Sequence, residues 1–330
     1  MLRIAMLGAG RIGQVHTASI TSHAEARLAL VVDPIESAAK ALGETYDAKW
    51  SLDPEDAFAD RSIDAVVIGS PTNTHIDMLK RAVAADKKIL LEKPIDLDLA
   101  RIDAAWAQIR DRAPFVMLGF NRRFDPSFRE VRERAARGEI GIVRALRITS
   151  RDPQPPPAAY LGGSGGMFKD MTIHDFDMAR FQLGDIVEVQ AMASDNGLDA
   201  FREARDHAQA VIVMRAASGA LVTIVNSRSC AYGYDQRLEA FGDAGSLEAG
   251  NWTATTVRAA SATRTEAAGP ILNFFLERYM PAFRAELDEF VQAVKQDRAP
   301  AVGFADGRAA LVLAEAASES VATGRAVRVA

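Results

Sequence analysis

The sequence predicts an α/β protein with two domains: a doubly wound parallel sheet at the N-terminus and a second α/β domain with a large open, mostly antiparallel sheet. In the first 120 residues, continuous apolar strands alternate with helical segments, a pattern typical of a parallel sheet covered on both faces. From residue 141 onward, strands with alternating polar and apolar residues follow one another across short turns. The length of 330 residues also favours two domains over one.

The first domain is predicted to cover residues 1–120. Its strands are short aliphatic runs, and its helices repeat apolar residues at helical spacing. The predicted strands are Leu2–Leu7, Leu28–Val32, Ile63–Ile68, Lys88–Leu91 and Phe115–Leu118, and the predicted helices are Arg11–Ser22, Ile35–Leu42 and His75–Ala85.

The second domain is predicted to cover residues 121–330. Two long helices end the chain, and they are candidates for packing back on the first domain. An apolar stripe in the first of these helices indicates core packing. The predicted strands are Ile142–Ile148, Val187–Ala193, Ala208–Met214, Leu221–Val225, Arg237–Phe241 and Ser246–Ala249, and the helices are Pro281–Gln296 and Ala305–Thr323.

Composition and charge argue against several classes of protein. The chain is 48% hydrophobic and 25% charged, as in ordinary globular proteins. The net charge of -5 and the lack of a Lys/Arg-rich block argue against nucleic-acid binding. No apolar run approaches the roughly 18 residues of a membrane span. A strand that begins at Leu2 leaves no room for a signal peptide, and the single Cys230 excludes an intrachain disulfide. We therefore expect a cytoplasmic protein.

A glycine-rich turn joins the first predicted strand to the first helix. The segment reads Gly8-Ala9-Gly10-Arg11-Ile12-Gly13. In this context the three glycines permit a tight turn, close approach of the backbone to a pyrophosphate, and close helix–strand packing. The helix N-terminus, with Arg11 and Ile12, would face the phosphates. The segment therefore predicts a dinucleotide-binding Rossmann domain; the alternative is a glycine-rich turn without a ligand.

Asp33 bears on the choice of dinucleotide. It ends the second predicted strand, where its carboxylate can accept hydrogen bonds from both ribose hydroxyls. A carboxylate there would repel a 2′-phosphate, and the next residues are Pro34 and Ile35 rather than Arg or Lys. The sequence thus favours NAD over NADP.

Two further loops follow predicted strands, at the edge where doubly wound sheets bind ligands. One offers small and polar groups for the nicotinamide half of the cofactor, and the histidine after it is expected to cap the next helix or to touch ribose. The residues expected to bind the cofactor there are Ser70, Pro71, Thr72, Asn73 and His75.

The other loop carries Glu92, Lys93 and Pro94. Proline disfavours helical geometry at Lys93, so its ammonium is held at a strand end. There it can stabilise negative charge that develops on a substrate oxygen. The alternative is that Lys93 pairs with Glu92 or another acid at a solvated edge. Glu92 and Lys93 are also expected to contact the cofactor.

Asp170 and His174 form a candidate proton-transfer pair. In a helix they would share one face, and a carboxylate beside an imidazole fixes its tautomer and supports its cation. Asp170 in the first turn would be stabilised by the helix dipole. The same spacing is common in purely structural helices. A proline- and glycine-rich loop, residues 152–166, leads into the pair and is either a lid over substrate or a surface excursion. The other histidines are dispersed, so no metal is predicted.

With these motifs, the whole chain resembles the Gfo/Idh/MocA oxidoreductases, and within them the bacterial inositol 2-dehydrogenases. The resemblance rests on the glycine turn, on Glu92-Lys93-Pro94 and on four longer sequence motifs. These motifs are Gly119-Phe120-Asn121-Arg122-Arg123-Phe124-Asp125, Gly166-Met167-Phe168-Lys169-Asp170-Met171-Thr172-Ile173-His174-Asp175-Phe176-Asp177, Tyr232-Gly233-Tyr234-Asp235-Gln236-Arg237 and Phe274-Phe275-Leu276-Glu277-Arg278-Tyr279.

The resemblance implies a catalytic group of Lys93, Asp170 and His174, and a cis Lys93–Pro94 bond. It also implies that substrate hydroxyls meet Arg123 and either Tyr232 or Tyr234. The second domain, residues 121–330, is then expected to serve substrate binding and oligomerisation. The expected assembly is a homo-oligomer, a dimer or a tetramer, with no nucleic-acid or membrane partner.

The implied function is NAD-dependent oxidation of a ring hydroxyl of an inositol, from myo-inositol to 2-keto-myo-inositol. His174 would act as the base, with Lys93 on the same oxygen and Asp170 orienting the imidazole. The alternatives are a scyllo-inositol or pyranose sugar dehydrogenase, an enzyme that cleaves glycosides with tightly held NAD, and a non-catalytic NAD-binding regulatory protein.

Overall fold

The computed structural model describes residues 1–329, and the chain forms two compact units. The first unit comprises residues 1–124 and 281–311, and the second comprises residues 125–280 and the chain from residue 312. The domain limits given by sequence, 1–120 and 121–330, stay a prediction. Within residues 1–329, no helix is both long enough and apolar enough to cross a membrane.

The first unit contains a six-stranded parallel sheet with strand order β3-β2-β1-β4-β5-β6. The order reverses at β1, as in a doubly wound dinucleotide-binding sheet. The N-terminal fold predicted from the sequence is therefore confirmed. Its elements are β1 Leu2–Leu7, α1 Arg11–Ser22, β2 Ala26–Val32, α2 Glu36–Thr45, β3 Lys49–Ser51, α3 Glu55–Ala59, β4 Ala65–Ile68, α4 His75–Ala84, β5 Lys88–Leu91, α5 Leu99–Ile109 and β6 Val116–Leu118.

Three elements of this unit were not predicted. The edge strand β3 has only three residues, none of them buried, so it lacks the apolar run that indicates a strand. The short helix α3 was also missed. Helix α5 did carry a readable signal, because the Asp98 side chain accepts hydrogen bonds from the Ala100 and Arg101 N–H groups and caps the helix.

A helix from the C-terminal part of the chain completes the core of the first unit. Helix α11, Met280–Lys295, lies near the end of the chain, and its Phe283 ring packs edge-on against His16 with ring centroids 5.6 Å apart. Its Phe290 packs against Phe115 at 5.7 Å, and Leu287 is fully buried. The apolar stripe predicted for this helix therefore does face a core.

The second unit contains a seven-stranded mixed sheet with strand order β12-β11-β7-β10-β9-β8-β15. All its neighbouring strands are antiparallel except β7 and β10, so the mostly antiparallel sheet predicted from the sequence is confirmed. The elements from residue 126 onward are α6 Pro126–Ala136, β7 Val143–Arg151, α7 Ala158–Leu161, α8 Ile173–Leu183, β8 Ile186–Ser194, α9 Asp199–Ala204, β9 Gln209–Ala216, β10 Leu221–Ser227, β11 Asp235–Gly242, β12 Gly245–Ala249, β13 Arg258–Ser261, β14 Arg264–Ala268, α10 Phe275–Arg278, α11 Met280–Lys295, α12 Phe304–Thr323 and β15 Val327–Arg328.

One face of this sheet packs on the core, and the other is exposed. Along β9, buried and exposed residues alternate strictly. Four exposed positions on β8, β9 and β10 carry apolar side chains: Met192 is 77% exposed and lies opposite Val211 in the ladder, and Val213 and Leu221 are also exposed. We call these four residues the outer sheet face. A cluster of exposed apolar residues is characteristic of protein–protein contact surfaces.

Candidate active site

The glycine turn has a shape that only glycine allows. Gly8 has φ +106°, and a Cβ on it would lie 2.7 Å from the Gly69 carbonyl oxygen. A Cβ on Gly13 would lie 2.0 Å from the Gly8 carbonyl oxygen. By contrast, a Cβ on Gly10 would meet no atom within 4 Å, and Gly10 caps α1 without any side-chain hydrogen bond. The turn is thus closely packed on its inner side and open at the helix N-terminus, where N–H groups can receive an anion.

Asp33 lies next to this turn, after the end of β2. One oxygen of its carboxylate accepts a 2.7 Å hydrogen bond from the Ala9 N–H, and the other accepts a 2.9 Å bond from the Ile35 N–H. These bonds fix the orientation of the carboxylate beside the glycine turn. Each oxygen keeps a further lone pair, so both can accept from a ligand hydroxyl.

The loop after β4 is ordered by its own hydroxyl groups. The Ser70 and Thr74 hydroxyls are 2.6 Å apart, and Thr74 Oγ1 also donates to the Pro71 carbonyl oxygen at 2.7 Å. Residues Thr72–Thr74 form one turn of 3-10 helix before α4. The predicted cofactor contacts of this loop stay a prediction.

His75 has contacts that the sequence did not suggest. Its ring is 1% exposed and lies between two carbonyl oxygens, with Nδ1 2.8 Å from that of Pro94 and Nε2 2.8 Å from that of Ser70. Burial lowers the pKa of the imidazole, although both carbonyl contacts act in the opposite direction. The expected helix cap is not seen, because α4 has no side-chain cap. His75 therefore connects the loop after β4 to the loop after β5.

Lys93 lies at the end of β5, and the Lys93–Pro94 peptide bond is cis, which confirms the geometry implied by the family resemblance. Its main-chain N–H donates to Glu92 Oε2 at 3.2 Å. Glu92 itself is 7% exposed, and its other oxygen lies 2.6 Å from Nε2 of the fully buried His16. The Glu92 carboxyl also fills the space beside Gly119, where a Cβ would be 2.9 Å away. The predicted contact of Glu92 with the cofactor is untested.

Glu286 lies close to the same buried group. Its side chain, on α11, is fully buried, and neither of its oxygens has a hydrogen-bond partner within the described part of the chain. Burial, followed by the negative charge of Glu92, raises the pKa of Glu286 well above its usual value. We therefore interpret Glu286 as a carboxyl group that keeps its proton in the folded protein.

Arg123, an expected substrate contact, is also in the first unit. Its side chain is 9% exposed and its Nη2 lies 3.0 Å from Asp306 Oδ1. The ion pair fixes the guanidinium, and a role of Arg123 in binding substrate stays a prediction.

Asp170 and His174 lie in the second unit, in a segment that is helical but does not form one regular α-helix. Residues Phe168–Thr172 form a π-helical turn that contains Asp170, and α8 begins only at Ile173. Gly165 and Gly166 both have φ near +80°, so the chain enters the turn from left-handed backbone instead of a regular first turn. Such π-turns are frequent at functional sites.

The contacts of Asp170 come from two other segments. Its Oδ1 accepts a 2.9 Å hydrogen bond from the Tyr160 hydroxyl, in α7, and its Oδ2 lies 3.3 Å from both terminal nitrogens of Arg228. His174 is half-buried. The pairing of the two residues in catalysis stays a prediction.

The two candidate tyrosines differ in exposure. Tyr232 is 54% exposed, and its hydroxyl donates to Asp235 at 2.7 Å and accepts from Arg151. Tyr234 is 6% exposed, with its ring edge-on to that of Tyr279 at 5.9 Å. Exposure therefore favours Tyr232 as the tyrosine that can reach a ligand.

Sequence reasoning did not identify Arg228, Tyr160, His16 or Glu286. None of them belongs to a motif with a fixed spacing, and each is recognised only by its contact with a partner that the tertiary structure brings close. Among residues 1–329, no three His, Cys, Asp or Glu side chains are grouped so that they could hold a metal ion.

Comparison with known proteins assigns both parts of the chain. Residues 2–120 match the family described as "Oxidoreductase family, NAD-binding Rossmann fold", and residues 128–248 match the "GFO/IDH/MocA C-terminal domain". The chain is 43% identical to the inositol 2-dehydrogenase of Rhizobium meliloti, over 100% of this chain and 99% of that protein.

Solved structures give the same result. A myo-inositol dehydrogenase from Corynebacterium glutamicum matches with a TM-score of 0.97 and 49% identity over 100% of this chain and 99% of that one. A scyllo-inositol dehydrogenase from Lactobacillus casei, with bound NAD(H) and scyllo-inositol, matches with a TM-score of 0.86 and 27% identity over 99% of both chains. The chain therefore belongs to the Gfo/Idh/MocA family of oxidoreductases, with an NAD-binding Rossmann domain at its N-terminus.

Proposed function

We propose that this protein is an NAD-dependent inositol dehydrogenase that oxidises a ring hydroxyl of myo-inositol to give 2-keto-myo-inositol. The observation that carries the proposal is the similarity to a named inositol 2-dehydrogenase over the full length of both chains. The presence of Lys93, Asp170 and His174 supports it, because a protein that only binds NAD would need no proton-transfer group.

The residues of the first unit fit NAD. The open side of Gly10 and the uncapped N-terminus of α1 suit a pyrophosphate, and the fixed Asp33 carboxylate suits a ribose diol. A carboxylate at this place favours NAD over NADP, because it would repel a 2′-phosphate. When bound, NAD supplies the hydride acceptor.

We assign three roles to side chains of the chain. The His174 imidazole takes the proton of the hydroxyl group, a general-base role worth roughly a hundredfold to ten-thousandfold in rate. The Lys93 ammonium binds the same oxygen and stabilises its developing negative charge. The Asp170 carboxylate orients His174 and supports the imidazolium. Arg123 and Tyr232 are the proposed contacts to the other ring hydroxyls.

A second candidate is oxidation of scyllo-inositol, and the observation that favours it is the structural match to the Lactobacillus casei enzyme with that ligand. The two isomers differ in the orientation of one hydroxyl, so a few polar contacts decide between them. Pyranose sugars present a similar ring of hydroxyl groups, so they are the next substrates to compare with the inositols.

One spectrophotometric panel tests the proposal. Reduction of NAD and of NADP is followed with myo-inositol, scyllo-inositol, glucose and xylose. We expect the highest kcat/KM with NAD and myo-inositol. A higher value with scyllo-inositol selects the second candidate, and tight NAD binding without turnover of any alcohol would refute a dehydrogenase and favour a regulatory protein.

A further inference from the structure

A buried arginine lies behind the proposed catalytic carboxylate. Arg228 follows β10, its N–H donates to the Ala208 carbonyl oxygen at 2.8 Å, and its side chain is 2% exposed. Both terminal nitrogens of its guanidinium lie 3.3 Å from Asp170 Oδ2. Nη2 is also 3.7 Å from Asp206 Oδ2. One guanidinium therefore lies between two carboxylates, on a residue that no motif of the sequence points to.

Asp206 fixes both the arginine and the chain segment that leads to Asp170. It is 5% exposed, and its Oδ1 accepts 2.7 Å hydrogen bonds from the Met167 and His207 N–H groups. Gly166, with φ +82°, packs so closely that a Cβ on it would lie 3.1 Å from the same oxygen. The start of the π-turn and the arginine behind it are thus held by one buried side chain.

The geometry explains why an arginine is needed here. Guanidinium is planar, keeps its charge in proteins, and can face two carboxylates at once, which a lysine ammonium does less well. Because Arg228 has little solvent around it, its attraction to Asp170 is screened less than that of a surface pair. The Tyr160 hydroxyl holds the other oxygen of Asp170, but Tyr160 is 50% exposed and is the weaker constraint.

We propose that Arg228 is a positioning residue for the oxidation reaction: it holds the Asp170 carboxylate in the orientation from which Asp170 supports His174. The inference rests on the proposed role of Asp170. In this proposal Arg228 acts behind Asp170 and not on the reacting atoms, so its loss lowers turnover through the position of Asp170.

The test compares Arg228→Met and Arg228→Lys in the wild-type and Asp170→Asn backgrounds. We expect Arg228→Met to lower kcat about tenfold to a hundredfold, because small displacements of catalytic groups cost this much. Arg228→Lys should recover part of the loss, and KM for NAD should stay within about twofold. In the Asp170→Asn background, Arg228→Met should change kcat by less than about twofold, because two residues that act through one group are not additive.

Arg278→Lys is the matched control. Arg278 is 1% exposed and pairs with the buried Asp125 in the same unit, so it reports the general cost of loosening a buried arginine–carboxylate pair. If Arg228→Met does not fold, the comparison of Arg228→Lys with Arg278→Lys carries the test. The proposal is overturned if these two variants have equal kcat. It is also overturned if Arg228→Met lowers kcat as much in the Asp170→Asn background as in the wild type.

A crystal structure of the Arg228→Lys variant gives a readout that does not depend on the substrate. We expect the Asp170 carboxylate to move by about 0.5 Å, the tolerance of a catalytic geometry, while α8 stays in place. An unmoved carboxylate contradicts the inference even if the wild-type protein oxidises no alcohol in the panel. The two failures therefore give different results. If the proposed function is wrong, the wild type oxidises no alcohol, and if the positioning role is wrong, the carboxylate does not move.

Discussion

Glu286 provides a stability prediction that can be worked out from the structure. Its carboxyl group is fully buried and neither oxygen is hydrogen-bonded within residues 1–329, while Glu92 adds a negative charge nearby. A carboxylate in such a place carries a penalty of several kcal/mol, so the folded protein keeps the group protonated. In the unfolded chain the same group ionises with a pKa of about 4.5.

The sign of the pH effect follows from these two states. At a pH below 4.5 both states hold the proton, and Glu286 adds no pH dependence. Above it, only the folded state holds the proton, so the free energy of unfolding falls by about 1.4 kcal/mol per pH unit. The loss ends when the pH passes the raised pKa of the folded state. Glu286→Gln is neutral in both states and removes this contribution.

Urea denaturation from about pH 5 to about pH 8 measures the effect. We expect the stability advantage of Glu286→Gln over the wild type to grow with each pH unit by about 1.4 kcal/mol until the raised pKa is reached. Asp297→Asn is the control, because Asp297 lies just after the end of the same helix, is exposed, and has a left-handed backbone that asparagine also adopts. If the free energy of unfolding changed with pH in the same way for the wild type and Glu286→Gln, the interpretation that Glu286 is protonated in the folded protein would be refuted.

Three further changes test other parts of the site and surface. His174→Ala should lower kcat by roughly a hundredfold to ten-thousandfold with nearly unchanged NAD affinity by calorimetry; an equal loss of NAD binding argues against a base. Gly13→Ala should lower the melting temperature because its Cβ would clash with the Gly8 carbonyl oxygen, whereas Gly10→Ala should keep stability but weaken NAD binding; equal melting temperatures contradict this. Met192→Glu, on the outer sheet face, should dissociate the expected homo-oligomer in light scattering, and a monomeric wild type would disprove that assembly.

Local patterns were sufficient for the architecture of the first unit. A few residues are enough to predict β1, β4 and β5, because a parallel sheet buries both faces of its strands and these strands are therefore continuous aliphatic runs. The glycine turn is also recognised from a few residues. Where that signal is absent, as at the edge strand β3, the prediction failed. Helix α6 shows that a local signal can also go unread: Asp125 caps it and Pro126 begins it.

The parallel pairing of β7 with β10 could not be read in the same way. The alternation of buried and exposed residues fixes which face of a strand is apolar, but not which neighbour the strand chooses. Strands β8 and β9 lie between the two in the sequence, yet β10 separates β7 from β9 in the sheet.

The sequence by itself determined the α/β class, the glycine turn and the Lys93–Pro94 corner, and it indicated Asp33, Asp170 and His174 as candidate site residues. Each of these features lies within one short segment of the chain. The tertiary structure alone decided what surrounds them: Arg228 behind Asp170, His75 between two loops, and Glu286 near Glu92. These partners are up to about two hundred residues apart, and burial and charge act through space between them. No local pattern can therefore indicate which of them meet.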